Sequence, residues 1–241
     1  MPLAERYADL LAHDGVVRGL IGPREVPRLW ERHLLNCALL GRAIPEGATV
    51  CDIGSGAGLP GIVLALSRPD LQVTLVEPLL RRTTFLEEVV TELGLPNVEV
   101  VRGRAEELHG RAEFDAVTSR AVAPLDRLLA WSMPLVRQGG ALVAMKGSSV
   151  EDEIEAASKA LAKHGAGAVV VRRLGEGVVD HPTTVVRVEA TRPSRLGLAP
   201  QCSARGNSAT RARGKAASKS PSKSPSKTRG RGSEGRRRKE G

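Results

Sequence analysis

The chain has 241 residues, a formal net charge of +9, 41% hydrophobic and only 2% aromatic residues. That length suits one domain with appendages, and no apolar run is long enough to span a bilayer or to open the chain as a secretion signal. Cys37, Cys51 and Cys202 have no paired spacing, so neither a disulfide framework nor a zinc site is expected, and the cytoplasm is the expected compartment.

Two helical segments come first, over residues 3–13 and 25–40. The second sets Val26, Leu29, Trp30, His33 and Leu34 on one predicted face. "ATVCDIG" (48–54) reads as a buried strand ending in glycine, and "PGIVLALSR" (60–68) as a helix with Pro60 in its first turn. "LQVTLVE" (71–77) is a second strand, and "RRTTFLEEVVTELG" (81–94) a helix stopped by Gly94. Strands follow at 97–103, 114–120 and 140–147, with helices from Pro124 and over 150–164. Trp131 and Met133 are expected in helix core. The last strands, 167–174 and 183–190, have no helix between them. The pattern predicts an α/β, doubly wound, mainly parallel seven-stranded Rossmann-like sheet, with a terminal antiparallel pair and N-terminal helices. The predicted divisions are a helical segment at 1–45, the sheet domain at 46–191 and a tail at 192–241.

The tail carries 15 Lys+Arg against 2 Asp+Glu, including "SKSPSKSPSKTRGRG" at 218–232, whereas residues 1–191 carry 21 against 25. The body is therefore mildly acidic. Almost nothing apolar follows Leu198, so the tail is expected to be disordered. It reads equally as an electrostatic arm for nucleic acid or as a solubilising extension.

Ligands of such sheets lie at the carboxyl ends of the strands, where "VCDIGSGAGLPG" (50–61) stands. Gly56, Gly58 and Gly61 match the dinucleotide fingerprint G-x-G-x-x-G, with Glu77 placed to bond a ribose. Asp52 and Gly54 extend it to D-x-G-x-G-x-G, which resembles the pattern of methyltransferases using S-adenosylmethionine. There the glycines admit a methionine moiety against the backbone, and Glu77 can accept both ribose hydroxyls. "RAEEL" (104–108) follows the third strand, where an adenine edge would be read. Taken alone, the glycines could serve only the turn, and Asp52 only a helix cap.

The fourth strand leads into "TSRAVAP" (118–124). That is not the Asn/Asp-Pro-Pro-aromatic loop that goes with methylation of exocyclic amines. No cysteine is expected near that strand, as carbon 5 of a pyrimidine would require. The expected acceptor has a ready lone pair, such as nitrogen 7 of guanine. It needs no general base, so no catalytic residue is assigned and proximity carries the reaction.

"DIGSGAGLPGIVLAL", "FDAVTSRAVAPL" and "ALVAMKG" resemble the RsmG (GidB) family, bacterial methyltransferases of small-subunit ribosomal RNA. The resemblance covers about residues 3–190. It implies transfer from S-adenosylmethionine to nitrogen 7 of a guanine in the 530 loop of 16S rRNA. By matching position it implies cofactor contacts at Gly54, Leu59, Ala105, Glu106 and Arg120; Glu77 is added from the fold. "ERHLLNCA" (31–38) resembles the family's Arg-His element and makes Arg32 and His33 RNA candidates, although a packing histidine is an equal reading of His33. Lys146 is a third candidate, for a phosphate or the target base. "VVRGLIGPREVPRLW" (16–30) stands where family members carry a "YNLTS"-like segment. The implied partner is 16S rRNA or the small subunit, with no membrane and no metal, and nothing signals an oligomer. A methyltransferase of another substrate, a nicotinamide dehydrogenase and a non-catalytic rRNA-binding protein are the alternatives.

Overall fold

The structure, a computed structural model, describes residues 2–191. The seven strands are β1 (Thr49–Ile53), β2 (Gln72–Glu77), β3 (Val98–Arg102), β4 (Phe114–Arg120), β5 (Val136–Lys146), β6 (Ala166–Leu174) and β7 (Thr183–Ala190). They form one sheet in the order β3-β2-β1-β4-β5-β7-β6. The first five run parallel, and β7 pairs antiparallel with both β5 and β6. This is the doubly wound sheet expected from alternating strands and helices, with the antiparallel pair at its edge.

The crossovers are α3 (Gly61–Ser67), α4 (Leu80–Leu93), α5 (Leu125–Ser132), and the pair α6 (Val150–Ala156) and α7 (Ser158–Lys163). β1 lies inside the sheet, and its last four residues are buried, Asp52 among them. One apolar layer gathers Tyr7, Leu40, Ile62 and Leu86; the other gathers Leu125, Leu129, Leu142 and Val150. Met133 is buried in the second layer with Trp131 packed against it, as expected of helix core. Gly94 ends α4 in the left-handed region at φ 60°, which a side chain would disfavour.

The N-terminal residues pack across this sheet. α1 (Pro2–Leu10) contacts α3 and α4. Tyr7 is fully buried and donates its hydroxyl to the Ala57 carbonyl at 2.7 Å, so α1 ties down the glycine loop. The segment read as one regular helix over 25–40 is instead three windings. A 3-10 turn covers Pro23–Arg28, a wider π turn covers Leu29–Leu34, and α2 covers Leu35–Leu40. Leu29, His33 and Leu34 are buried, but Trp30 is 37% exposed and does not share their face. The change of winding is the reason: three and then more than four residues per turn shift the side chains off a 3.6-residue stripe. The helix expected over 150–164 is interrupted at Ala157, giving α6 and α7. Among the described residues no helix is long and apolar enough to cross a membrane. The tail expectations fall on residues outside those described.

Candidate active site

The site begins where β1 ends. Gly54, Gly56 and Gly58 have φ of 67°, 59° and 95°, a backbone path that L side chains rarely follow. The loop is held from beneath by Asp52, which is completely buried. Its Oδ2 accepts the Gly61 N–H at 3.0 Å at the start of α3, so Asp52 caps that helix rather than facing a ligand. Its Oδ1 has no partner. Burial outweighs the Gly61 bond and pushes this carboxyl up to about 7. Gly61 is glycine because a Cβ there would lie 2.2 Å from Leu75 and 2.8 Å from the Asp52 carboxylate.

Above the loop lies a cleft of about 700 Å³, lined by Gly54, Leu59, Glu77, Leu79, Arg82 and Arg120 among others. Glu77 is 1% exposed and already holds three protein donors. Gly56 N–H reaches Oε2 at 3.0 Å, Arg82 reaches the same oxygen at 3.3 Å, and Leu79 N–H reaches Oε1 at 3.1 Å. An ionised carboxylate has about four lone-pair sites. The two ribose hydroxyls expected there therefore require Arg82 to swing away; one hydroxyl fits as the site stands. Arg82 Nε is buried without a partner in the same cleft. Gly54 marks a close approach, since a Cβ there would meet Val122 at 3.0 Å. A bare backbone floor, an acid at the tip of β2, apolar Leu59 and Leu79, and the Arg120 guanidinium fit S-adenosylmethionine, whose parts are an amino acid, a sulfonium and an adenosine.

Four of the expected cofactor residues, Gly54, Leu59, Glu77 and Arg120, border this cleft. Ala105 and Glu106 do not line it. They sit in a 3-10 turn, Ala105–Leu108, beside the tip of β2, with Ala105 buried and Glu106 exposed. The Gly103 N–H just before that turn donates to the Glu77 carbonyl at 3.2 Å.

A second cleft, of about 1040 Å³, opens on the other side of Arg120 and includes Arg32, His33, Lys146 and Thr183. The two clefts share Glu25, His33, Arg120, Ala121 and Val122, which form a wall between them. Ala121 takes φ 53° at the turn out of β4. The Arg120 guanidinium donates to His33 Nδ1 and, at 3.7 Å, to Cys37 Sγ. His33 Nε2 meets Glu25 Oε2 at 2.7 Å. Burial first, and then the Arg120 charge, hold the His33 imidazole below its ordinary range against the pull of Glu25. Lys146 is 7% exposed at its side chain and donates at 2.7 Å to both the Ala123 carbonyl and Glu153.

Sequence reasoning missed Glu25 in this wall and Cys37, which contacts it through Arg120. Glu25 lies in the stretch that departs from the "YNLTS" pattern, and nothing in its spacing points to His33. Cys51 on β1 pairs with Val117 of β4, and Cys37, brought onto Arg120 from 83 residues away, likewise corrects the reading that no cysteine lies near β4. Burial pushes the Cys37 thiol up to about 11. A thiol held protonated is a poor nucleophile, so Cys37 gives no support to a cysteine mechanism.

A glycine-loop cleft at the carboxyl end of this seven-stranded sheet defines an S-adenosylmethionine-dependent methyltransferase. Solved structures carry the same fold at low identity. An O-methyltransferase of Thermotoga maritima aligns at TM-score 0.51 with 15% identity, covering 70% of this chain and 71% of that one. M. jannaschii TYW2, solved in complex with AdoMet, aligns at TM-score 0.52 with 18% identity, covering 65% of this chain and 74% of that one. A family model described as rRNA small subunit methyltransferase G matches residues 1–181. Ribosomal RNA small subunit methyltransferase G of Nocardioides sp. is 66% identical over 81% of this chain and 78% of its own. The Thermobifida fusca relative of the same name is 57% identical over 89% and 92%. The chain belongs to the rRNA small subunit methyltransferase G family.

Proposed function

We propose that the protein methylates nitrogen 7 of a guanine in the 530 loop of 16S rRNA. Membership of the family supports the substrate, and the resemblance of "SRAVA" and "MKG" supports the position. The observation that carries the reading is the pair of clefts sharing one wall at Arg120–Val122. One cleft has the build of a cofactor site. The other is open to solvent, adjoins it, and has the volume for an extruded base.

The bound cofactor supplies an electrophilic methyl group on a sulfonium. The residues of this chain bind and align the reactants. Nitrogen 7 of a neutral guanine carries a lone pair and no proton, so the wall needs no general base, and alignment across it supplies the catalysis. We assign Gly54, Leu59, Glu77 and Arg120 to the cofactor, with Ala105 and Glu106 beside the tip of β2. Arg32 is assigned to the RNA side; His33 and Lys146 border the same cleft, where Arg120 and Glu25 occupy both His33 nitrogens and Ala123 and Glu153 hold Lys146. In duplex RNA nitrogen 7 faces a deep, narrow groove closed to side chains, so the target guanine is unpaired or displaced. Residues 2–45 complete the site by supplying Glu25, Arg32 and His33. The deciding experiment incubates protein, labelled S-adenosylmethionine and small subunits lacking the modification, then identifies the nucleoside by mass spectrometry. 7-Methylguanosine is expected. Methyl on an exocyclic nitrogen, a ribose or a pyrimidine overturns the reading, and rRNA binding without transfer would indicate a non-catalytic protein.

A further inference from the structure

We infer that His33 is a positioning residue: as a neutral imidazole carrying its proton on Nε2, it holds the Arg120 guanidinium in the wall between the clefts, and a second proton releases it. The inference rests on reading the glycine-loop cleft as the cofactor site. Three side chains make a directed chain. Arg120 has only N–H donors, so it requires an acceptor at His33 Nδ1. The proton of His33 must then lie on Nε2, and it is given to Glu25 Oε2 at 2.7 Å. Each link fixes the next, and the order cannot be reversed because guanidinium has no acceptor. Glu25 thereby selects the tautomer that Arg120 needs.

The place of the chain gives it a role. Glu25, His33 and Arg120 border both clefts. Arg120 ends β4, and its other named contact is the Cys37 sulfur at 3.7 Å, a weak acceptor. His33 is 8% exposed, so water does not readily replace the Arg120 bond. A proton on Nδ1 would set donor against donor and cation against cation.

The charged and titratable groups facing His33 come from three directions. Arg32 stands beside it on the same turn, Glu25 on the preceding 3-10 turn, with Arg28 near Glu25, and Arg120 on β4. Cys37 reaches the group through Arg120. Only Glu25 favours the protonated imidazole, while Arg32 and Arg120 oppose it.

The test is calorimetric titration of the full chain with S-adenosylmethionine from pH 8 to pH 5. Circular dichroism melts at each pH confirm that every variant is folded. Wild type is expected to lose affinity about tenfold on acidification, the scale of one hydrogen bond to a charged group. His33→Asn keeps an amide oxygen where Nδ1 stands and does not titrate. It should bind as wild type does at pH 8 and lose the acid-dependent step. His33→Phe offers no acceptor and should bind weakly throughout. Glu25→Gln removes the group that favours protonation, so its affinity should persist to lower pH. Asp52 also changes charge in this range, and comparison with His33→Asn subtracts it. Equal loss of affinity on acidification in wild type and His33→Asn overturns the inference, as does tight binding by folded His33→Phe at pH 8. If His33→Phe does not fold, the His33→Asn comparison decides alone. Absence of wild-type binding at pH 8 defeats the cofactor-cleft reading instead.

Discussion

The Glu77 carboxylate accepts the Gly56 N–H at 3.0 Å, joining the tip of β2 to the glycine loop that follows β1. One acid thus shapes the loop and also borders the cleft proposed for the cofactor. Glu77→Ala is expected to weaken S-adenosylmethionine binding by about 1–3 kcal/mol, the scale for hydrogen bonds to a charged group. Glu77→Gln should lose less, because its amide oxygen still accepts from Gly56. Calorimetry measures both, and unchanged affinity in Glu77→Ala would remove Glu77 from the site.

Gly54 faces two constraints that substitution can separate. Gly54→Val is expected to abolish cofactor binding, since its Cβ would lie 3.0 Å from Val122 at the cleft floor. It also carries left-handed strain of about 1–2 kcal/mol at φ 67°. Gly47→Ala has the same φ of 67° with nothing within 4 Å of its Cβ. It should reproduce the loss of melting temperature while leaving binding intact. Equal binding defects in the two variants would mean that strain, not occupancy, is at work.

Asp52 makes stability depend on pH in an unusual direction. Its folded carboxyl keeps its proton up to about 7, whereas the ordinary value is 3.8. Between those values folding takes up a proton, so the contribution of this group is complete at low pH and falls as pH rises through the window. Asp52→Asn still offers an oxygen to the Gly61 N–H and cannot titrate. Its melting temperature should gain on wild type as pH rises from 4 to 8. Parallel melting curves across that range would show that Asp52 is ionised in the fold.

Lys146 and Glu153 act together on the turn after β4. Lys146 holds the Ala123 carbonyl, and Glu153 accepts from both Lys146 and the Leu125 N–H. Lys146→Met should loosen Ala121–Ala123 and lower kcat by at least about tenfold, equivalent to about 1.4 kcal/mol in the barrier. Lys146 does not border the cofactor cleft, although Ala121 and Val122 do, so S-adenosylmethionine affinity should fall by less than kcat does, under the roughly 1.4 kcal/mol that a tenfold change represents. Steady-state kinetics beside calorimetry separates these effects. An equal fall in both would make the pair a general support of the fold.

The basic tail lends itself to truncation. Deleting residues 194–241 should leave cofactor affinity unchanged, because every residue assigned to the cofactor precedes them. Encounter with RNA should weaken. The slope of log affinity against log salt should become shallower by about 0.7–0.9 for each phosphate that the tail neutralises. A higher KM for small subunits with an unchanged kcat is expected. No change in either quantity would favour the solubilising-extension reading.

The sheet could be read from sequence because short runs rich in β-branched residues, such as "QVTLVE" and "VEVVR", alternate with longer helical stretches. The missing helix between 174 and 183 announced the antiparallel pair. Residues 23–34 could not be read so well. Pro27 and two changes of winding break the stripe that a single helix would show, leaving Trp30 on the outside. The cleft over the glycine loop was foreseeable because Gly54, Leu59, Glu77 and Arg120 stand at or beside strand ends. The wall was not, because Arg120 and His33 meet across 87 residues and no spacing rule links them.

The antiparallel course of β7 decides where a handle can be attached. Lys146, at the site end of β5, pairs with Thr184, whereas Glu189 pairs with Ala141 further back. Over its eight residues β7 therefore runs from the clefts to the opposite rim of the sheet, about 23 Å at strand rise. A fluorophore or surface tether joined directly after Thr191 starts from that rim. Immobilised there, a truncated enzyme would present both clefts outward, and a particle as large as a ribosomal subunit could approach them from solution.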